Sequence, residues 1–166
     1  MPDTRSAAPA ARLCRLTLEG EALTRLSPEL EADRAQAVTD LLAENRFAPR
    51  HGVDHPPGPY SLRLAIIEGR LVFDIRSAED VPVHTVALAL GPFRRLIKDY
   101  QMLVDSHAQA MQEGRESRIQ AIDMGRRGLH NEGAQLLVER LSGKVAIDFA
   151  TARRLFTLVC VLHQRV

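Results

Sequence analysis

The stretch LRLAIIEGRLVFDI, residues 62–75, decides the fold. Two runs of alternating apolar and polar residues flank Glu68 and Gly69. Alternation with a period of two is typical of half-buried strands, and a short connection ending in glycine predicts a tight hairpin. The alternating apolar residues are Leu62, Leu64 and Ile66 in the first run and Leu71, Phe73 and Ile75 in the second.

The segments on either side extend this hairpin into a sheet. A turn at residues 78–80 leads to a third apolar run, residues 83–90. Residues 12–18 alternate in the same way and predict another short strand. We therefore expect an antiparallel meander of three strands, or of four if residues 12–18 join it.

Helical patterns dominate the rest of the chain. Ser27 and Pro28 form a typical helix start, and from Pro92 onward apolar residues recur with a period of 3.6. Gly114 and Gly128 predict helix ends, and Asn131 and Asp148 predict N-caps. The predicted helices are 28–45, 93–113, 117–127, 132–141 and 149–163.

This order of elements predicts an α+β fold, with four to five helices packed on one face of the sheet. The nearly all-apolar helix 149–163 should be central, with neighbours on most sides. Residues 1–11 contain Pro2, Pro9 and several alanines, and we expect a mobile tail there. Residues 12–166 are then one globular domain, with a Pro- and Gly-rich loop over 47–59.

Composition bounds the possible functions. The net charge of +1 gives no overall field for recruiting nucleic acid or acidic membrane. The longest apolar run, residues 155–162, is too short to span a membrane. Two cysteines, Cys14 and Cys160, indicate no disulfide framework and favour a cytoplasmic location. Phosphate loops, dinucleotide fingerprints and catalytic Ser-His-Asp spacing are absent from the sequence, and we predict no cofactor.

Three adjacent arginine pairs mark the more basic second half of the chain. They are Arg94 with Arg95, Arg126 with Arg127, and Arg153 with Arg154. One interpretation pairs them with carboxylates of the same chain, such as Asp74, Asp99 or Asp123. The other assigns them to an anionic ligand held by guanidinium groups.

The middle pair opens the most unusual polar segment, residues 126–133. Gly128 and Gly133 suggest a turn, and Asn131 as an N-cap would leave backbone amides pointing at an anion. A structural helix–turn–helix corner, with His130 bonded to the backbone, is the alternative. The candidate anion-binding residues are Arg126, Arg127, His130, Asn131, Arg153, Arg154 and Arg94.

Two further kinds of site have weaker support. The corner resembles a DNA-binding helix-turn-helix, but residues 132–141 offer few cations for phosphate contact, which makes nucleic-acid binding a minor alternative. His51, Asp54 and His55 have metal-ligand chemistry. Their Pro-Gly context fixes no coordination geometry, so we predict no metal site.

Four blocks of the sequence resemble an uncharacterised alphaproteobacterial protein family, numbered zero-two-six-two. The resemblance runs from about residue 12 to the end. It implies a compact bacterial cytosolic protein and brings no assigned activity. The blocks are residues 70–76, 92–100, 121–133 and 148–163.

Two hypotheses of function follow, and the sequence does not decide whether the protein is an enzyme. The first is a small cytoplasmic, non-enzymatic binding or adaptor protein, whose partner is another protein or, by self-association, a second copy of this chain. It rests on plentiful polar helix surface without a convincing catalytic pair. The second is an anion-binding enzyme or sensor for a small phosphorylated or carboxylated metabolite, using residues 126–131. Convergence of the arginines in space would favour the second.

Overall fold

Within residues 8–50 and 55–163, which the computed structural model describes, the chain forms six strands and four α-helices. This confirms the α+β prediction. Residues 1–7 of the predicted tail lie outside the described residues, and Ala8–Ala11 form a 3-10 helix. The elements are β1 Leu13–Glu19, α1 Pro28–Ala43, β2 Phe47–Pro49, β3 Tyr60–Ile67, β4 Arg70–Ser77, β5 Pro82–Ala89, α2 Arg94–Glu113, α3 Glu116–Leu141, β6 Val145–Ile147 and α4 Phe149–Leu162.

The larger sheet has four strands in the order β1-β3-β4-β5. Strands β3, β4 and β5 are the predicted antiparallel meander. Glu68 and Gly69 connect β3 to β4, with φ values of 51° and 75°. Positive φ at both positions suits the right-handed twist of a two-residue hairpin, which explains the glycine.

The fourth strand corrects the expectation of a purely antiparallel sheet. Strand β1 joins the sheet beside β3, but it runs parallel to it. The connection between them carries α1, and a crossover of this length lets the chain re-enter the sheet in the same direction. The sheet is therefore mixed.

Local capping chemistry fixes several helix ends where it was predicted. The Ser27 hydroxyl accepts a hydrogen bond from the Leu30 amide, and the Asp148 carboxylate accepts one from the Thr151 amide. Gly114 ends α2 in the left-handed conformation, at φ 67°. These features confirm the starts of α1 and α4 and the end of α2.

Helix α3 contradicts the prediction of two helices separated by a turn at residues 128–133. It runs unbroken through Gly125, Gly128 and Gly133. Each interior glycine weakens a helix by about 1 kcal/mol, and packing against neighbours offsets that cost. Asn131 is therefore a mid-helix residue and not an N-cap, so the predicted amide cradle does not exist. The turn required for DNA recognition is absent as well.

A second, two-stranded sheet was not predicted. Strand β2 pairs antiparallel with β6. It lies within residues 47–59, which were predicted to be a loop because of their prolines and glycines. Both strands have only three residues, too few for an alternating pattern to be visible in the sequence.

The hydrophobic core lies between the larger sheet and the helices, with α4 at its centre. Nine of the 14 residues of α4 are buried, which confirms its predicted position. Leu64, Phe73 and Ile75 of the sheet are fully buried in the same cluster. No helix in the described part of the chain is long and apolar enough to cross a membrane.

Candidate functional site

One face from each of three helices, α1, α3 and α4, lines a cleft of about 320 Å³. Four of the seven predicted site residues lie in it, namely Arg126 and His130 from α3 and Arg153 and Arg154 from α4. Spacings of three, four and seven residues place side chains on one face of a helix, which explains this convergence. We call this depression the Arg153 cleft.

The residues that α1 contributes to the cleft were not predicted from the sequence. Asp33, Gln36 and Asp40 line the cleft opposite the arginines. Their spacing on α1 was visible in the sequence, but nothing local indicated which helix they would face. These residues bring carboxylates into a site whose predicted residues included none.

Asp33 is the centre of a hydrogen-bond network that joins three helices. Its Oδ2 atom accepts a hydrogen bond of 2.5 Å from the Tyr100 hydroxyl and one of 2.8 Å from Nη2 of Arg126. The Arg126 guanidinium also lies 5.9 Å from the centre of the Tyr100 ring. Tyr100 is fully buried, and burial together with Asp33 raises the pKa of its hydroxyl far above the usual range. Arg126 is therefore a structural ion-pair partner, as the first interpretation of the arginine pairs predicted.

His130 is held between aromatic rings at the floor of the cleft. The Tyr100 and Phe156 rings form T-shaped contacts with it, at centroid distances of 5.7 and 6.2 Å. Its Nε2 atom lies 3.0 Å from the Thr157 hydroxyl, and its ring also bonds to the backbone of Arg126. That backbone bond matches the structural alternative proposed for His130, although within a continuous helix.

The environment of His130 keeps its ring neutral. Burial, followed by the positive charges of Arg126 and Arg153, lowers its pKa from 6.5 to about 4. A neutral imidazole donates at one nitrogen and accepts at the other. With one nitrogen bonded to a backbone carbonyl, the other can accept the Thr157 hydroxyl proton. His130 thus adds polarity to the cleft without adding charge at neutral pH.

This depressed pKa predicts a loss of stability in acid. As pH falls below 6.5, His130 becomes protonated in the unfolded chain, but in the folded protein it stays neutral until about pH 4. The free energy of unfolding is therefore highest above pH 6.5 and falls by roughly 2–3 kcal/mol across that window. Urea unfolding at pH 7.5 and 4.5 should show that the parent loses this much more stability than His130→Gln. Equal losses in the two proteins would contradict the buried, neutral ring.

Arg153 differs from the other arginines of the cleft. Arg126 is paired with Asp33, and Nε of Arg154 lies 4.0 Å from Asp40. Among the described residues, no carboxylate lies within ion-pair distance of the half-buried Arg153. Three guanidinium groups therefore face two carboxylates, and one positive charge remains uncompensated at Arg153.

The other three predicted residues do not join the cleft. Arg127 and Asn131 are exposed on other faces of α3. Arg94 is exposed at the start of α2, beside a separate depression near Glu19. Consecutive arginines on a helix point about 100° apart, so a pair seldom serves one site.

Of the three carboxylates named as partners from the sequence, Asp99 has the predicted role and the other two do not. Asp99 pairs with Arg95, as one interpretation predicted, and Arg95 also reaches Glu132. Asp74 pairs with Arg76, and Asp123 lies 3.5 Å from His107. Glu132 is thus directed towards α2 and away from the cleft.

Metal-ligand chemistry does not converge in the described part of the chain, which contains no group of three His, Cys, Asp or Glu side chains able to hold an ion. His51 and Asp54, two of the three residues considered as metal ligands from the sequence, lie outside the described residues.

Comparison with known proteins gives a consistent family assignment. The model of an uncharacterised protein family, UPF0262, matches residues 10–165. A UPF0262 protein of Granulibacter bethesdensis is 65% identical over 96% of this chain and 93% of its own length. One from Acidiphilium cryptum is 58% identical over 93% of both chains, and one from Rhizobium leguminosarum is 51% identical over 93% of this chain and 96% of its own. No solved structure matches the chain.

Proposed function

Because the chain belongs to the UPF0262 family, whose description names no function, we propose a function from the cleft itself: non-catalytic binding of a small molecule through one anionic group. The observation that carries this proposal is the uncompensated, half-buried charge of Arg153 beside neutral His130 and the Thr157 hydroxyl. A cytoplasmic location completes the proposal.

The charge balance of the cleft favours a monoanion. One positive charge remains after Asp33 and Asp40 oppose Arg126 and Arg154. A carboxylate or a phosphodiester neutralises that charge, whereas a dianionic phosphate would leave a negative charge facing the two aspartates. Arg153 provides the fork of donors that matches such oxygens.

The size of the cleft also limits the ligand. A volume of about 320 Å³ lies at the lower end of the range of small-molecule sites, roughly 300–1,000 Å³. This favours a small metabolite over a nucleic-acid chain, in agreement with the modest net charge of +1.

The pKa of His130 favours binding over catalysis. An efficient general base has a pKa near the working pH, and a value of about 4 makes His130 a weak base at neutral pH. The Thr157 hydroxyl beside it is then poorly activated as a nucleophile, although the 3.0 Å distance resembles that of a catalytic pair. The enzyme alternative therefore has weaker support than a binding protein or sensor.

Arg153→Gln tests the proposal. A thermal-shift screen with small monocarboxylates, phosphodiesters and phosphomonoesters should find a monoanion that stabilises the parent, by about 2.7 kcal/mol at 100 times its dissociation constant. Arg153→Gln should bind that ligand at least about tenfold more weakly, because it loses a charge-assisted hydrogen bond. Its stability without ligand should be unchanged, since the removed charge has no acidic partner.

Arg127→Gln is the matched control, because it removes the same charge from an exposed position on α3. It should bind like the parent. A ligand shift that persists in Arg153→Gln, or the absence of any shift across the screen, would overturn the proposal.

A further inference from the structure

The helices on either side of the Arg153 cleft differ in their hydrogen-bonding groups. From α4, Arg153 and Arg154 present only donors, because a guanidinium group has no acceptor. From α1, the Asp40 carboxylate presents only acceptors, and Gln36 adds an amide oxygen. A ligand whose anionic group binds Arg153 therefore has hydrogen-bond acceptors facing the rest of its structure.

The Asp40 carboxylate has an oxygen available for such a ligand. Its Oδ1 atom accepts a hydrogen bond of 2.9 Å from Nε2 of Gln36. Nε of Arg154 lies 4.0 Å from its Oδ2 atom, which is too long for a hydrogen bond. Covering this carboxylate, which is 40% exposed, with an apolar group would remove its hydration without replacing the lost hydrogen bonds. A ligand that reaches Asp40 needs donors of its own.

Hydrocarbon surface is scarce in the cleft. Of the described residues that line it, only Ala37 and Ala150 have hydrocarbon side chains, and each of these is a methyl group. Small-molecule sites are usually lined mainly by hydrophobic and aromatic side chains, which bind the apolar parts of their ligands. The Arg153 cleft offers little contact of that kind, so an apolar chain would gain little by entering it.

We propose that the uncharged part of the ligand carries several hydroxyl groups, as in a sugar acid or a polyol phosphodiester. This inference rests on the proposed binding of a monoanion at Arg153. Hydroxyl groups donate to Asp40 and Gln36 without changing the charge of the ligand. An ammonium group would also donate, but a zwitterion is neutral overall and would leave the positive charge of the cleft unbalanced.

Matched pairs of acids that differ only in their hydroxyl groups test the inference. The pairs are propionate with glycerate, hexanoate with gluconate, cyclohexanecarboxylate with quinate, and the diethyl with the bis-hydroxyethyl ester of phosphate. Calorimetric titration of the full chain should show that the hydroxylated member of at least one pair binds about tenfold more tightly than its apolar partner. Serine, in which an ammonium group replaces a hydroxyl of glycerate, should bind more weakly than glycerate.

Asp40→Ala should reduce this preference for the hydroxylated member by about fivefold, because the hydroxyl groups lose a charged acceptor. The preference within a pair is the quantity to compare, since removing a negative charge strengthens the binding of both acids alike. Glu31→Ala is the matched control. It removes the same charge from an exposed position of α1 that does not line the cleft, and it should keep the preference of the parent.

Two kinds of failure can be distinguished. Apolar acids that bind as tightly as their hydroxylated partners, or a preference that is unchanged in Asp40→Ala, would overturn this inference and leave the proposed anion binding intact. Tighter binding of serine than of glycerate would overturn it too. If no acid of either kind binds, or if Arg153→Gln binds them as the parent does, the proposed function fails as well.

Discussion

Gly133→Ala should lower the free energy of unfolding by roughly 1–2 kcal/mol, although alanine is the better helix former. A Cβ atom at position 133 would overlap the ring of Phe156. That ring is fully buried and stands edge-on against His130, so it has no room to move aside. Overpacking of this kind costs about 1–3 kcal/mol or more, which exceeds the gain of about 1 kcal/mol in helix propensity.

Gly128→Ala on the same helix is the matched control. A Cβ atom there meets nothing within 4 Å, so only the propensity term remains. Its stability should rise by up to about 1 kcal/mol. Urea unfolding of the two variants and the parent measures both effects. Equal changes in the two variants would show that α3 does not pack on α4 through Gly133.

Asp33→Ala should cost about 3 kcal/mol of stability. The substitution leaves the buried Tyr100 hydroxyl without its acceptor and Arg126 without its carboxylate. An unsatisfied buried hydroxyl costs about 1–3 kcal/mol, and an unpaired, partly buried cation adds to this. The side chains of Asp33 and Arg126 are 23% and 21% exposed, so the ion-pair loss is smaller than for a fully buried pair.

Asp40→Ala removes the same group from the same helix and serves as the control. Asp40 is 40% exposed and lies 4.0 Å from its arginine partner, so its loss should change stability by no more than about 0.5 kcal/mol. Asp33→Asn keeps an acceptor for Tyr100, so its stability should lie between those of Asp33→Ala and Asp40→Ala. An Asp33→Ala protein as stable as Asp40→Ala would show that the network contributes nothing.

The local parts of the fold were predictable because each depends on neighbouring residues. Alternation in residues 62–75 specifies a hairpin, and the Ser27 and Asp148 side chains satisfy amides three residues away. The parallel direction of β1 was not predictable, because alternation marks a strand but not its orientation.

The predicted break in α3 was wrong because contacts between distant residues cannot be seen in the local sequence. Glycines at 128 and 133 read as breakers when only local propensity is considered. The contact of Gly133 with Phe156, 23 positions along the chain, is what makes glycine suitable there. Tertiary packing outweighs a propensity cost of about 1 kcal/mol per residue.

The candidate site was predictable only in part for a related reason. Arg126, His130, Arg153 and Arg154 were identified by residue type, and helical spacing brings them to one cleft. Asp33 lies 93 positions from Arg126, so no local pattern could join them. Because the pairing with Asp33 could not be known from the sequence, Arg126, which has a carboxylate partner, could not be distinguished from Arg153, which has none within ion-pair distance among the described residues.

The most direct test of the central claim is an NMR titration that follows the Arg153 guanidinium and the His130 ring as the monoanion selected in the screen is added. The Nε–H signal of Arg153 and the ring signals of His130 should shift together and saturate at one ligand per chain. The anion should also raise the pKa of His130, because a negative charge beside the ring favours its protonated form. Shifts confined to exposed arginines such as Arg127, or a His130 pKa unchanged at saturation, would contradict binding in the Arg153 cleft.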